Sequence, residues 1–213
     1  MNYCAVIGDL VSSREIAERG QVQARLKKVI SQVNSQYDQE LAAELMIYAG
    51  DEVQGLLHTP AVSYELIQLL KDKLAPIEIV FGVGIGGLTT QLPANPVTWE
   101  LDGSAYHQAR KMLKQAKKRK PSICYSFDQA IIKRTEIGEI INSLLYFIES
   151  NQANRTQRQQ QVVKLYQQYQ SQEVTAQELG VTQVAVSKIL NKALYYQVQQ
   201  AKTSLNHYLK SLA

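Results

Sequence analysis

Cysteine is almost missing from this chain: only Cys4 and Cys124 occur in 213 residues, each within an apolar run. That excludes a disulfide framework and fits buried thiols in a reducing compartment. Histidine is as sparse. His58, His107 and His207 are scattered along the chain and make no metal-ligand set. No apolar run approaches the roughly 20 residues of a membrane span, so a membrane is not an expected partner. The apolar start is broken by Asp9 and followed by Arg14, Glu15 and Glu18, which is not the pattern of a secretory leader. The expected location is the cytoplasm. There is no internal repeat. The glutamine clusters near 160 and 168 are not a low-complexity tail, because apolar residues recur through them at helical spacing.

What is present is a core and an uneven charge. Hydrophobic residues make up 45% of the chain, and the length suits one large or two small domains. The net charge is +4, but residues 151–213 hold seven Lys/Arg and two acids, a local net of +5. The rest of the chain is slightly acidic. A positive excess confined to one region is the footprint of a protein that meets phosphate backbones. A second basic run, 111–120, reads as a solvated helix face.

That basic region contains a helix-turn-helix pattern. In 175–194, Leu179, Val181, Val186, Ile189 and Leu190 fall on one side, and Gln183, Ser187, Lys188 and Lys192 on the other. Gly180 stands where the chain must bend, and Thr182 can cap the second helix. An ordinary helical hairpin shares the amphipathicity. Gly-Val-Thr-Gln followed by Val-Ser-Lys is more specific, and points to DNA as partner through Thr182, Gln183, Ser187, Lys188 and Lys192.

The first part alternates strands and helices. Strands are predicted at 3–10, 45–48, 53–57, 77–85 and 122–126, and helices at 15–37, 63–74 and 102–118. The order predicts an α+β fold: a ferredoxin-like β-α-β-β-α-β domain over 1–132, its helices on one face. An all-α helix-turn-helix domain follows over 133–213, with helices expected at 136–149, 157–170, 175–179, 182–194 and 195–212.

Two acids stand out in the first domain. Asp9 ends the first strand, and Asp51 lies in the hairpin Ala49-Gly50-Asp51-Glu52. A β-α-β-β unit brings these two points side by side. Adjacent carboxylates repel, and Mg²⁺ relieves the repulsion while keeping places for substrate phosphates. A strand-terminal Asp and a turn Gly-Asp are also common for purely local reasons. Glu52 is a further candidate ligand, although strand alternation is expected to turn its side chain to the opposite face.

These segments resemble a known family. The run Val6 to Ser13, then Ala49 to Glu52, Phe81 to Gly87 and Asp102 to Arg110 follow the order and spacing of class III nucleotidyl cyclase and diguanylate cyclase catalytic domains. With the appended helix-turn-helix, the chain resembles the SatD family. The cyclase resemblance implies Asp9 and Asp51 as metal ligands. It implies Leu10, Val11, Ser12 and Ser13 as the phosphate-binding segment, and Arg110 as the catalytic arginine that also holds phosphate. Tyr106 stands where cyclases carry an Asn, and Ile47 where they carry a base-reading cation. The second cationic residue has only 117–120 as candidates. The metal-phosphate half of the site is therefore retained and the base-reading half is not. The expected function is a homodimeric DNA-binding regulator whose first domain binds a metal–nucleotide or related phosphate ligand. An enzyme acting on a nucleoside triphosphate is the alternative, and a bare dimerisation scaffold a third, disfavoured by the acids at 9 and 51.

Overall fold

The computed structural model describes residues 2–11, 18–118, 121–130 and 136–213. They divide into two compact units, 1–145 with 206–213, and 146–205.

The first unit is built on a five-stranded sheet of β1 (Tyr3–Leu10), β2 (Leu41–Tyr48), β3 (Glu52–Leu57), β4 (Ile79–Gly86) and β5 (Ile123–Phe127), in the order β2-β3-β1-β4-β5. The first four strands pair antiparallel, and β5 runs parallel to β4. With α1 (Arg19–Gln36) and α2 (Ser63–Leu74), β1–β4 form the expected ferredoxin-like core. A parallel neighbour needs a crossover connection, and α3 (Ser104–Lys118) supplies it. The expectation of helices on one face therefore holds for α1 and α2 alone. Cys4 of β1 lies against Ser63 of α2. The adjacent Ala5 and Ile7 of the same strand pack with Ala105, Ala109 and Leu113 of α3, on the opposite face.

Glycine permits that second layer. A Cβ on Gly82 would stand 2.1 Å from the Ala109 carbonyl oxygen, and one on Gly84 2.1 Å from the Ala105 carbonyl oxygen. The α3 backbone thus rests directly on β4. The alternate residues Phe81, Val83 and Ile85 are buried toward the other side. The repeat Phe-Gly-Val-Gly-Ile-Gly is a strand with one bare face, not a strand running out into a glycine loop.

Each edge of the sheet is closed by an asparagine. On β2, Asn34 of α1 donates to the Leu45 carbonyl (2.9 Å) and accepts from the Leu45 amide (3.0 Å). On β5, Asn142 donates to the Tyr125 carbonyl (2.9 Å) and accepts from the Tyr125 amide (2.7 Å). Asn142 belongs to α4 (Glu136–Ala153), whose first ten residues fall in the first unit. The division between units therefore lies inside α4 and not at 132/133, because α4 begins as part of the sheet's edge.

The second unit centres on α5 (Gln157–Tyr169), α6 (Gln172–Glu178) and α7 (Gln183–Lys192), with α8 (Tyr195–Lys210) beginning in it. Val162, Val163, Ala176, Val186, Leu190, Ala193 and Tyr195 form its core. Side chains cap α5, α6 and α7. Thr156 and Gln159 make a reciprocal capping box on α5, and Ser171 caps α6. That Ser171 cap starts α6 three residues before the expected Thr175. Thr182 accepts from the Ala185 amide at 3.2 Å, and Gly180 makes the turn at φ +62°.

Candidate functional site

The carboxyl-bearing end of the sheet forms where β1 finishes beside the β2–β3 hairpin. Ala49 and Gly50 take positive φ there. The Leu10 amide donates to the Asp51 carbonyl at 3.3 Å, tying the turn to β1. The residue facing Asp9 across the ladder is Glu52. Paired residues on neighbouring strands share a face. Glu52 is therefore the acid beside Asp9, contrary to the expectation that it turns away, and Asp51 stands one residue further into the turn.

Both carboxylates meet cations from α3. Lys117 Nζ lies 2.7 Å from Asp9 Oδ2. Arg110 donates to Glu52 Oε2, and also to Gln54 Oε1 at 3.3 Å. The two cations are seven residues apart, two helical turns or about 10 Å along the axis, and converge on one pair of acids. Gln54 continues the chain inward, donating to the Thr98 carbonyl at 2.9 Å. Around it lie three buried polar atoms with no hydrogen-bond partner among the described residues: Glu52 Oε1, the Thr98 hydroxyl and the Tyr106 hydroxyl. Tyr106 is 5% exposed. Burial pushes its phenol well above the ordinary tyrosine range, offset in part by the adjacent Gln54 side chain.

Arg110, Asp9 and Glu52 are thus brought together, with the Asp51 backbone next to the end of β1. Leu10 and Val11 continue the same strand end, where the Val11 amide donates to the Glu78 carbonyl at 2.9 Å. Ser12 and Ser13 lie outside the described residues. His107 pairs with Asp102 at 2.8 Å, with both side chains more than half exposed, and takes no part. Sequence reasoning missed Gln54 and Thr98 and left Lys117 as one candidate among several. The available signal was helical phase: 106, 110, 113 and 117 recur at the spacing of one α3 face.

The donors that could hold a divalent ion at this end of the sheet are Asp9 and Glu52. Asp9 and Glu52 offer hard carboxylate oxygens on one face, and a Glu52 oxygen is buried without a partner. Two carboxylates suffice for an ion that keeps its waters or takes phosphates. Among the described residues no three His, Cys, Asp or Glu side chains converge as a ready-made metal cage.

The second candidate surface is the outer face of α7. Gln183, Lys188 and Lys192 are exposed, Ser187 is half-buried, and Val186 and Leu190 point into the core. Val184, 63% exposed, and Asn191 join that face and were not foreseen. Positions 184, 188 and 191 are one helical stripe. Arg155 leaves the expected basic footprint. Its guanidinium donates to the Asn151 side chain and the Ala193 carbonyl, both at 3.2 Å.

The SatD family model matches residues 3–205. The chain belongs to the SatD family. Among curated proteins no sequence matches this SatD-family chain. Its N-terminal part structurally resembles adenylyl and guanylyl cyclase domains, as the cyclase resemblance implied. A bacterial light-regulated adenylyl cyclase is 11% identical, with 59% of this chain and 75% of that one covered, at TM-score 0.45. The guanylate cyclase domain of RhGC from Catenaria anguillulae, in complex with GTP, is 15% identical, with 59% and 78% covered, at TM-score 0.42. The adenylyl cyclase CyaB from P. aeruginosa is 13% identical, with 59% and 76% covered, at TM-score 0.43. Likeness at this level concerns the fold alone. No described helix is long and apolar enough to cross a membrane.

Proposed function

We propose that this SatD-family protein binds DNA through α7 and that its cyclase-like unit senses a phosphate ligand. The observation that carries the DNA reading is the two-sidedness of α7. Val186 and Leu190 are fully buried, while Gln183, Val184, Lys188, Asn191 and Lys192 are exposed on a three-helix unit closed by its own caps. Gln and Asn side chains suit adenine edges, an exposed Val suits a thymine methyl, and Lys suits phosphates. A homodimer is the natural form, since such helices read paired half-sites across a two-fold axis.

In the first unit, Asp9 and Glu52 would hold a Mg²⁺ ion, with Asp51 beside them, and Arg110 and Lys117 would meet the phosphates of a nucleotide or related anion. Arg110 suits that role through its fixed fork of donors. Ile47 and Tyr106, where cyclases carry a base-reading cation and an Asn, favour ligand binding over turnover.

DNA binding is tested by fluorescence anisotropy on random duplex at two salt concentrations. Lys188→Glu should weaken binding about tenfold or more, with its circular dichroism unchanged. Affinity should fall with added salt, with a slope of roughly one per phosphate contact. Salt-independent affinity, or an unchanged Lys188→Glu protein, refutes the reading.

A further inference from the structure

We infer that Lys117 is a built-in counter-cation for Asp9, and that it couples metal binding to phosphate binding by moving between them. The inference rests on the metal–phosphate reading of this site and adds a regulatory element to it. Three observations carry it. Lys117 reaches Asp9 at 2.7 Å, yet its side chain is 44% exposed, against 18% for Asp9. The acid is therefore the more buried partner and the cation faces outward. Lysine ends in a single hydrated charge on a flexible stem, unlike the fork of Arg110. Thirdly, each of the two facing acids already has a cation. Asp9 is answered by Lys117 and Glu52 by Arg110.

A divalent ion arriving at Asp9 would raise the local charge by two if Lys117 stayed. Like charges that close repel, so the ammonium leaves. Its stem pivots from α3 beside Arg110, and the freed charge faces the place where phosphates would lie. The converse holds by linkage. A phosphate that takes Lys117 off Asp9 lowers the cost of metal binding. Metal alone therefore binds against Lys117, and metal with phosphate binds without that cost.

The test uses the full-length protein and Mn²⁺ as the probe, with free Mn²⁺ read by electron paramagnetic resonance, with and without millimolar inorganic phosphate. Lys117→Met should bind Mn²⁺ alone about fivefold more tightly, the scale of a partly exposed ion pair. Phosphate should tighten Mn²⁺ binding in the wild type and not in Lys117→Met. Lys117→Gln, which also lacks the charge, should behave as Lys117→Met does, and circular dichroism checks the fold of each. Equal or weaker Mn²⁺ affinity in Lys117→Met overturns the inference and leaves the metal reading standing. Absence of Mn²⁺ binding in every variant overturns both.

Discussion

Replacing Asn142 tests whether helical asparagines close the sheet. Its amide satisfies both outward backbone groups of Tyr125, at 2.7 and 2.9 Å. Tyr125 itself is fully buried. A net hydrogen bond contributes about 1 kcal/mol, and a buried group left without a partner costs about 1–3 kcal/mol. Solvent can reach part of this edge, so Asn142→Ala should cost about 2–3 kcal/mol. Asn142→Asp separates the two bonds. It keeps the acceptor for the Tyr125 amide and sets a carboxylate against the Tyr125 carbonyl. At neutral pH it should cost at least as much as Ala. The introduced carboxyl gains a donor only when protonated, so its folded-state pKa should lie above the unfolded value of about 3.9. Its stabilising contribution is then complete below that value and lost as pH rises through the folded pKa.

The assay is urea unfolding at neutral and acidic pH, followed through Trp99, the single tryptophan of the chain. That residue lies in the first unit. Both variants within about 0.5 kcal/mol of wild type, the range of ordinary surface changes, would refute the reasoning. So would an Asp variant that is as stable as wild type at neutral pH and weakens on acidification.

Other expectations follow from single contacts. Thr182→Ala should cost the helical unit about 1 kcal/mol through its lost cap, read by thermal circular dichroism, with Thr182→Ser close to neutral. Gly82→Ala should lower the urea midpoint sharply, since the new methyl meets α3 backbone at 2.1 Å and the helix must shift, whereas Gly20→Ala in α1 meets nothing within 4 Å and should be neutral or stabilising; unfolding of the pair decides it. Burial raises the Cys4 thiol to about 12, so a disulfide reagent at pH 8 should leave it untouched in the folded protein and label it on unfolding.

The strands, the hairpin and α7 were legible because each rests on local periodicity and turn chemistry. Tyr3–Leu10 is an apolar run, and Gly50 suits the positive φ of its turn. What was not legible depends on packing between distant segments. The strand at 77–85 was legible, but nothing local showed that its alternating glycines leave a face bare for α3. In sequence Glu52 counts with the turn, and its expected face comes from alternation with Asp51 and not from its pairing with Asp9. With 49–51 as the loop, Tyr48 pairs with Glu52 and the alternation restarts there. The asparagine clamps at Leu45 and Tyr125 span 11 and 17 residues, and no local pattern distinguishes Asn34 or Asn142 from other polar helix positions.

The bare face of β4 and the ion pairs at the sheet end are parts of one construction. Lys117 and Arg110 reach Asp9 and Glu52 only from a helix whose backbone lies against the sheet. The reach of either side chain is about the distance that a layer of ordinary residues between helix and sheet would add, since a covered sheet normally holds its neighbouring layer about 10 Å away. Gly82 and Gly84 remove that layer under Ala105 and Ala109, and Arg110 is the next residue along. The C-terminal turn of α3 then presents Lys117 and Lys118, where the helix dipole favours positive charge. Substitutions at Gly82 or Gly84 that survive folding should therefore loosen the Arg110–Glu52 and Lys117–Asp9 pairs together. A double-mutant cycle between Gly84→Ala and Lys117→Met would show it as strong non-additivity in Mn²⁺ affinity. Additive effects would mean that the glycines serve packing alone and that the cations find their acids without them.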